Sequence, residues 1–222
     1  MTDWRAHLQR EAERYADGES RLPNAGDADQ RQRQLTRLGN AAYGAGLSAL
    51  MLEDADAARD WLGRAAVRYR ESFDDAPPNS WGRPIGAIKA HVLAGDWANA
   101  EEAARWALEA GAAEAESPIG GYAAALALLV LGHGHQARIR ADAIRIRDDF
   151  PAPVGDALAM IGAGTDEVGY VVAVEEVLES FETREEYLED VPVADTVVVL
   201  QALAERRGLE PAELSSPLLP AG

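Results

Sequence analysis

The chain is predicted to be all-α, a stack of antiparallel helix pairs, and three observations predict it. Nearly every long segment spaces its apolar residues at helical intervals, and strand-like alternation is scarce. Proline, glycine and capping residues cut the chain into pieces of helical length. A turn pattern also recurs, as Leu52-Glu53-Asp54-Ala55-Asp56-Ala57-Ala58, Ala94-Gly95-Asp96-Trp97-Ala98-Asn99-Ala100 and Leu131-Gly132-His133-Gly134-His135-Gln136-Ala137. Its turn residues, Glu53, Gly95 and Gly132, lie 42 and 37 residues apart, and each precedes an alanine by five. A fainter copy at Gly164, 32 residues on, ends on the small Gly169. Such periods imply hairpins that bury their faces only against their neighbours.

Taken in order, the predicted helices are 2–17, 29–52, 56–74, 81–94, 97–110, 118–131, 135–149, 154–162, 166–183 and 192–207. The first is a charged amphipathic segment, and the second and third flank the first copy of the turn. Pro77-Pro78-Asn79 ends the third, and Ser80 is placed to cap the fourth. The fourth and fifth flank Gly95. Ser117-Pro118 sets a cap residue before a proline suited to the first turn of the sixth. The seventh follows Gly132 and stops at a break bracketed by Pro151 and Pro153, and the eighth and ninth flank Gly164. Pro192 opens the tenth after an acidic stretch. The β-branched runs Val171–Val174 and Val197–Leu200 continue into the helix-favouring EEVLESF and QALAERRG, and read as buried parts of helices.

Small residues keep the same register. Ala45, Ala87 and Ala124 superpose, as do Gly44, Gly86 and Ala123, and Ser48, Ala90 and Ala127, which suits close approach of two helices. Leu93-Ala94-Gly95-Asp96 with Ala100, Ala107 and Leu108 resembles the turn glycine and small-residue positions of the tetratricopeptide-type (TPR-like) superfamily over about residues 35–150. The chain departs from the strict repeat in its variable period and in lacking a proline at each repeat end. The resemblance implies a right-handed superhelix of stacked helix pairs; the length suits one continuous domain, 1–222, with a C-terminal helical cap over about 154–207. A second, shorter stretch, Val193-Ala194-Asp195 through Leu203-Ala204-Glu205-Arg206-Arg207-Gly208-Leu209 and then Ser216-Pro217-Leu218-Leu219-Pro220, is similar to the closing helix and tail of the Imm49 type of bacterial immunity protein. That resemblance implies a protein that neutralises a toxin by binding it.

Lysine and arginine total 21 against 38 aspartates and glutamates, a formal net charge of −17. This makes sequence-independent binding to a phosphate backbone unfavourable, so nucleic acid is not an expected partner. The acidic excess runs along the whole chain and Lys89 is the only lysine, a usage that resembles the cytosolic proteins of extreme halophiles. Cysteine is absent, which excludes disulfides and thiolate metal sites and suits a cytoplasmic protein. The amino terminus lacks the apolar core of a secretory signal, and AAALALLVL is too short to span a bilayer.

Candidate chemistry is sparse. His133 and His135 occupy a turn filled by Asp54 and Asp56 in the first repeat, and His7 and His91 offer no helical spacing that would complete a metal site. His91 reads as hydrogen-bonded and partly buried. Glu175, Glu176, Glu179, Glu182, Glu185, Glu186 and Glu189-Asp190 lack the glycine-punctuated alternation of a calcium loop and read as a hydrated face. GAGTDEVG has no lysine to make a phosphate loop, and Ser215 and Ser216 lie in a proline-flanked tail. No cofactor, metal or catalytic residue is predicted. The reading is a non-catalytic protein that binds a protein or peptide partner; the alternatives are an immunity-type protein and a hydrolase-type enzyme.

In a TPR-like stack the first helix of each hairpin lines the concave surface. Helical spacing puts Asn40, Tyr43, Leu47 and Leu50, then Ile85, Lys89 and Val92, then Ile119, Tyr122, Leu126 and Leu129 on that stripe, with Asn40, Tyr43, Ile85, Lys89 and Tyr122 as the candidate partner contacts. Tyrosines and one lysine suit the anchoring of a peptide. An open stripe would tolerate substitution of Lys89 and Tyr122 with little loss of stability, whereas a stripe covered by the 192–207 helix would not.

Overall fold

The computed structural model describes residues 2–221 and is all-α among them. Ten helices follow in order: α1 Trp4–Arg21, α2 Ala28–Met51, α3 Ala55–Glu71, α4 Gly82–Leu93, α5 Trp97–Glu109, α6 Pro118–Val130, α7 Gly134–Arg145, α8 Ala152–Ala163, α9 Glu167–Glu182 and α10 Asp195–Arg206. Short 3-10 turns lie at Leu22–Asn24, Ala112–Glu114 and Leu188–Asp190.

The helix starts follow from aspartate more than from any other residue. Asp3, Asp27, Asp54, Asp96 and Asp166 each accept a hydrogen bond from a backbone N–H of the first turn, and Ser117 does the same for α6. Each satisfies a donor that the helix itself leaves unpaired. Ser80 does not cap α4: its hydroxyl donates to the Pro77 carbonyl at 2.6 Å, and Trp81 occupies the cap position without a side-chain bond. Pro192 does not open α10 either. Residues 191–194 run as a non-helical lead-in, and the Ala194 N–H donates to the Leu218 carbonyl at 2.8 Å, so the chain's tail pins the start of α10. Helix α7 stops at Arg145, short of 149, because Arg147 closes on Asp149 in a turn ahead of Pro151.

The repeated turn has one backbone geometry. Glu53, Gly95, Gly132 and Gly164 all have positive φ, between 58° and 78°. In the first three, the N–H of the next residue returns to a carbonyl five back, Asp54 to Ala49, Asp96 to His91 and His133 to Leu128, at 2.8–3.0 Å. This is the 6→1 closure of a Schellman motif, and it explains why glycine is preferred there. The alanine four residues after each cap, Ala58, Ala100 or Ala137, is buried at 0–1% exposure. The fourth turn carries one more residue before its cap, Asp166, so the equivalent buried position is Tyr170 rather than Gly169.

Successive helices pack against each other from α1 to α9, and α4, α6 and α8 also touch in sequence, forming an inner row. Helix α10 leaves this order and lies against α4, α8 and α9. Its far end is held by Arg206, which pairs with Glu101 at 2.6 Å and stacks over Trp97. Val174, Val197, Val199 and Leu200 are fully buried within helices, as their context predicts, while Val172 is exposed. No helix among the described residues is long and apolar enough to cross a membrane.

Candidate functional site

Helices α2, α4 and α6 carry the predicted stripe, and the start of α10 lies over part of it. Asn40 and Tyr43 lie one turn apart on α2, Ile85 and Lys89 one turn apart on α4, and Tyr122 on α6. Tyr43 is 3% exposed, and Ile85, Lys89 and Tyr122 are each 9% exposed, so these four belong to the interior. The first turn of α10 supplies the polar partners of Tyr43 and Lys89. Lys89 Nζ sits 2.6 Å from Asp195 Oδ2 and donates to Thr196 Oγ1 at 3.0 Å, and the Tyr43 hydroxyl donates to the same Asp195 oxygen at 2.7 Å. Tyr122 packs on Phe150 with ring centres 5.6 Å apart.

The charges hold one another in place. Burial works to raise the Asp195 pKa, but the ammonium of Lys89 and the hydrogen bonds it receives bring it below the usual carboxylate value. Burial works to lower that of Lys89, and Asp195 together with Tyr122 more than reverses this. Burial and the adjacent Asp195 charge push the Tyr43 phenol well above its ordinary value. At neutral pH the cluster is therefore a closed carboxylate–ammonium pair with a phenol donor. Its lysine is not a free amine, and its tyrosine is not a base.

Tyr69 of α3 completes the wall. Its ring lies between Gly39 and Gly86, where an added Cβ would fall 2.8 and 2.7 Å from ring carbons. Its hydroxyl donates to Asn40 Oδ1 at 3.0 Å. Between these residues and the start of α10 is a cavity of about 340 Å³, lined by Asn40, Tyr43, Tyr69, Arg83, Ile85 and Lys89 and bordered by Leu188 and Asp195. Leu188, half exposed, belongs to a segment in which Glu189 and Asp190 both have positive φ. Arg10 holds that strained pair by donating to the Glu189 carbonyl at 2.7 Å, and Arg14 pairs with the Glu189 carboxylate. The two arginines also enclose Glu11, which is fully buried.

Arg83 differs from the cations around it. Its Nε donates to Ser72 Oγ at 2.9 Å, and its Nη2 donates to Gln32 Oε1 and to Thr36 Oγ1. All three acceptors are neutral, no carboxylate among the described residues lies in salt-bridge range, and burial lowers its pKa. Four of the five candidate contacts thus line one cavity and Tyr122 does not. Arg83, Tyr69 and Asp195 were not legible as site residues. The one available signal was Lys89 itself, a lone lysine among apolar neighbours that calls for an anionic partner.

The other candidates lie apart from the cavity. His133 and His135 are exposed at the start of α7, and His133 holds the cap position without a side-chain bond. His91 is partly buried, with Nδ1 3.9 Å from Asp96, and burial lowers its pKa. Glu175, Glu176, Glu179, Glu182, Glu185 and Glu186 are all exposed. Among the described residues, no three His, Cys, Asp or Glu side chains gather as a metal site. Gly164 serves as the α8–α9 turn, and Ser216 donates to Glu182 at 2.7 Å. No protein-family model, curated protein or solved structure matches the chain.

Proposed function

We propose that this is a non-catalytic, TPR-like helical-repeat protein that binds a protein or peptide partner, anchored at the cavity between α2, α4 and the start of α10. The observation that carries this reading is the convergence of Asn40, Tyr43, Ile85 and Lys89, from two successive hairpins, on about 340 Å³ that the chain's own closing helix leaves unfilled. Two tyrosines and an arginine at such a place are the residue types that dominate binding energy at interfaces. The closed Lys89–Asp195 pair supports an architectural role for those groups rather than acid–base chemistry. The acidic excess supports a cytoplasmic protein working in concentrated salt.

A photo-crosslinking residue at Leu188, on the rim of the cavity, tests this against one at Val67, an exposed residue of α3 that does not line it. In extracts held at high potassium chloride, a discrete crosslinked species is expected from Leu188 and not from Val67. Equal labelling at both positions, or none at either, overturns the reading. An immunity-type role is a second reading. The two stretches that carry the resemblance form one clasp, since the Leu218 carbonyl receives the Ala194 N–H and Leu209 and Ala212 are buried. A crosslinked enzyme whose activity is lost on binding would favour it.

A further inference from the structure

The cavity continues into two further depressions along α2. The first, about 440 Å³, shares Thr36, Ser80 and Arg83 with the cavity and adds Arg33 and Arg37. The next, about 430 Å³, shares Arg33 and Arg37 and reaches Arg21. Along the three, the cations are Arg21, Arg33, Arg37, Arg83 and Lys89, and the anions are Asp29 and Asp195 alone. That is the reverse of the chain as a whole, with its 21 cations to 38 anions. Three of the five are matched: Lys89 by Asp195, Arg33 by Asp29 and Arg21 by Asp17. Arg37 and Arg83 have no carboxylate partner among the described residues.

We propose that this track docks an acidic peptide segment, with one carboxylate seated on Arg83 and another on Arg37. The proposal rests on the partner-binding reading and specifies the partner's chemistry. Arg83 is already aimed: three neutral acceptors fix its Nε and Nη2 and leave Nη1 without a protein acceptor among the described residues. A guanidinium held in this way meets a carboxylate with little ordering cost. A partly buried cation lacking a counter-charge also gains more from one than an exposed cation does. Tyr43 and Tyr69, buried beside it, line the wall of the cavity that the segment would enter. A nucleic acid is the poorer fit, because a long phosphate chain would extend beyond the track across a surface of net charge −17. A short segment confines its charge to the arginines. In concentrated salt, where screening acts within about 3 Å, those contact pairs are what persists.

The test is fluorescence anisotropy with a short labelled peptide of alternating Glu and Tyr, its Gln-for-Glu counterpart, and a single-stranded oligonucleotide of equal charge, in about 0.2 M and about 1 M potassium chloride. Loss of a charge-assisted pair predicts binding at least about tenfold weaker for the Gln peptide and for Arg83→Gln, and about threefold weaker for Arg37→Gln. Arg140→Gln, at an exposed arginine of α7, is expected to change nothing. Arg83→Lys, which keeps the charge and loses the fork, is expected to fall between wild type and Arg83→Gln; together with Arg37→Gln it decides the matter if Arg83→Gln does not fold. Failure of the Glu peptide to bind, equal binding of Glu and Gln peptides, equal effects of Arg83 and Arg140, or tighter binding of the oligonucleotide each overturns the proposal. A species crosslinked at Leu188 through a non-acidic segment overturns it too, while leaving the partner-binding reading standing.

Discussion

At the scale of single residues, Lys89 shows how one partner reverses an expectation. On an open stripe its substitution would be nearly neutral. In the fold it is 9% exposed and paired with a carboxylate that is nearly as enclosed. Lys89→Met therefore strands Asp195 as an unpaired buried charge and is expected to cost about 3–5 kcal/mol in urea unfolding, whereas Lys89→Met with Asp195→Leu recovers much of that loss. Recovery of none of it would show that the pair does not act as a unit. The pH dependence follows from the directions of the two shifts. Asp195 is depressed, so its contribution is present above the ordinary value of 3.8 and is lost as pH falls through the lower folded value. Lys89 is raised, so its contribution is present below 10.5 and is lost as pH rises through the higher folded value. The stability gap between wild type and Asp195→Asn is thus expected to shrink in acid below about pH 4, as measured by denaturation at stepped pH. A gap that widened there would contradict the assignment.

Between elements, caps and close approaches decide stability. Three of the four equivalent hairpin turns cap their second helix with aspartate, and the fourth offers His133 without a side-chain bond. His133→Asp is expected to stabilise the protein by about 0.5–1 kcal/mol in thermal unfolding, by supplying a cap acceptor and a negative charge at the helix start. A loss would mean that His133 makes contacts that the turn geometry does not account for. Glycine within a helix usually tolerates alanine with a gain. Gly39 is an exception, because the new Cβ would meet the Tyr69 ring at 2.8 Å from one side while Gly86 leaves no slack on the other. Gly39→Ala is accordingly expected to destabilise by about 1–3 kcal/mol, with Tyr69→Leu relieving part of it. An alanine variant as stable as wild type would show that α2 and α3 separate at no cost.

Over the whole molecule, a net charge of −17 spread along the chain repels itself, and salt screens that repulsion. The melting temperature is expected to rise with potassium chloride into the molar range. A melting temperature indifferent to salt would count against adaptation to high salt. Helix α10 is tied by buried and semi-buried pairs, Asp195 to Lys89 and Arg206 to Glu101, which salt weakens less than exposed pairs.

The class, the ten helices and the register of the first three hairpin turns were legible in the sequence, because each follows from short-range rules. Apolar spacing specifies a helix face, an aspartate at the right offset satisfies the first N–H groups, and a left-handed turn residue ends the preceding helix. What lies over the stripe was not legible. Apolar and aromatic residues at Tyr43, Ile85 and Tyr122 read the same whether a partner or α10 covers them. The covering residue, Asp195, is separated from Tyr43 by 152 positions, and no local pattern links the two. The start of α10 was misread for a related reason: Pro192 suits a first helical turn, yet the tail's Leu218 carbonyl takes the Ala194 N–H and delays the helix by three residues. The vacancy beside Arg83 was equally out of reach. Whether an arginine finds a carboxylate depends on which helices meet around it, and only the packing of α2, α3 and α4 sets Gln32, Thr36 and Ser72 where an acid would otherwise stand.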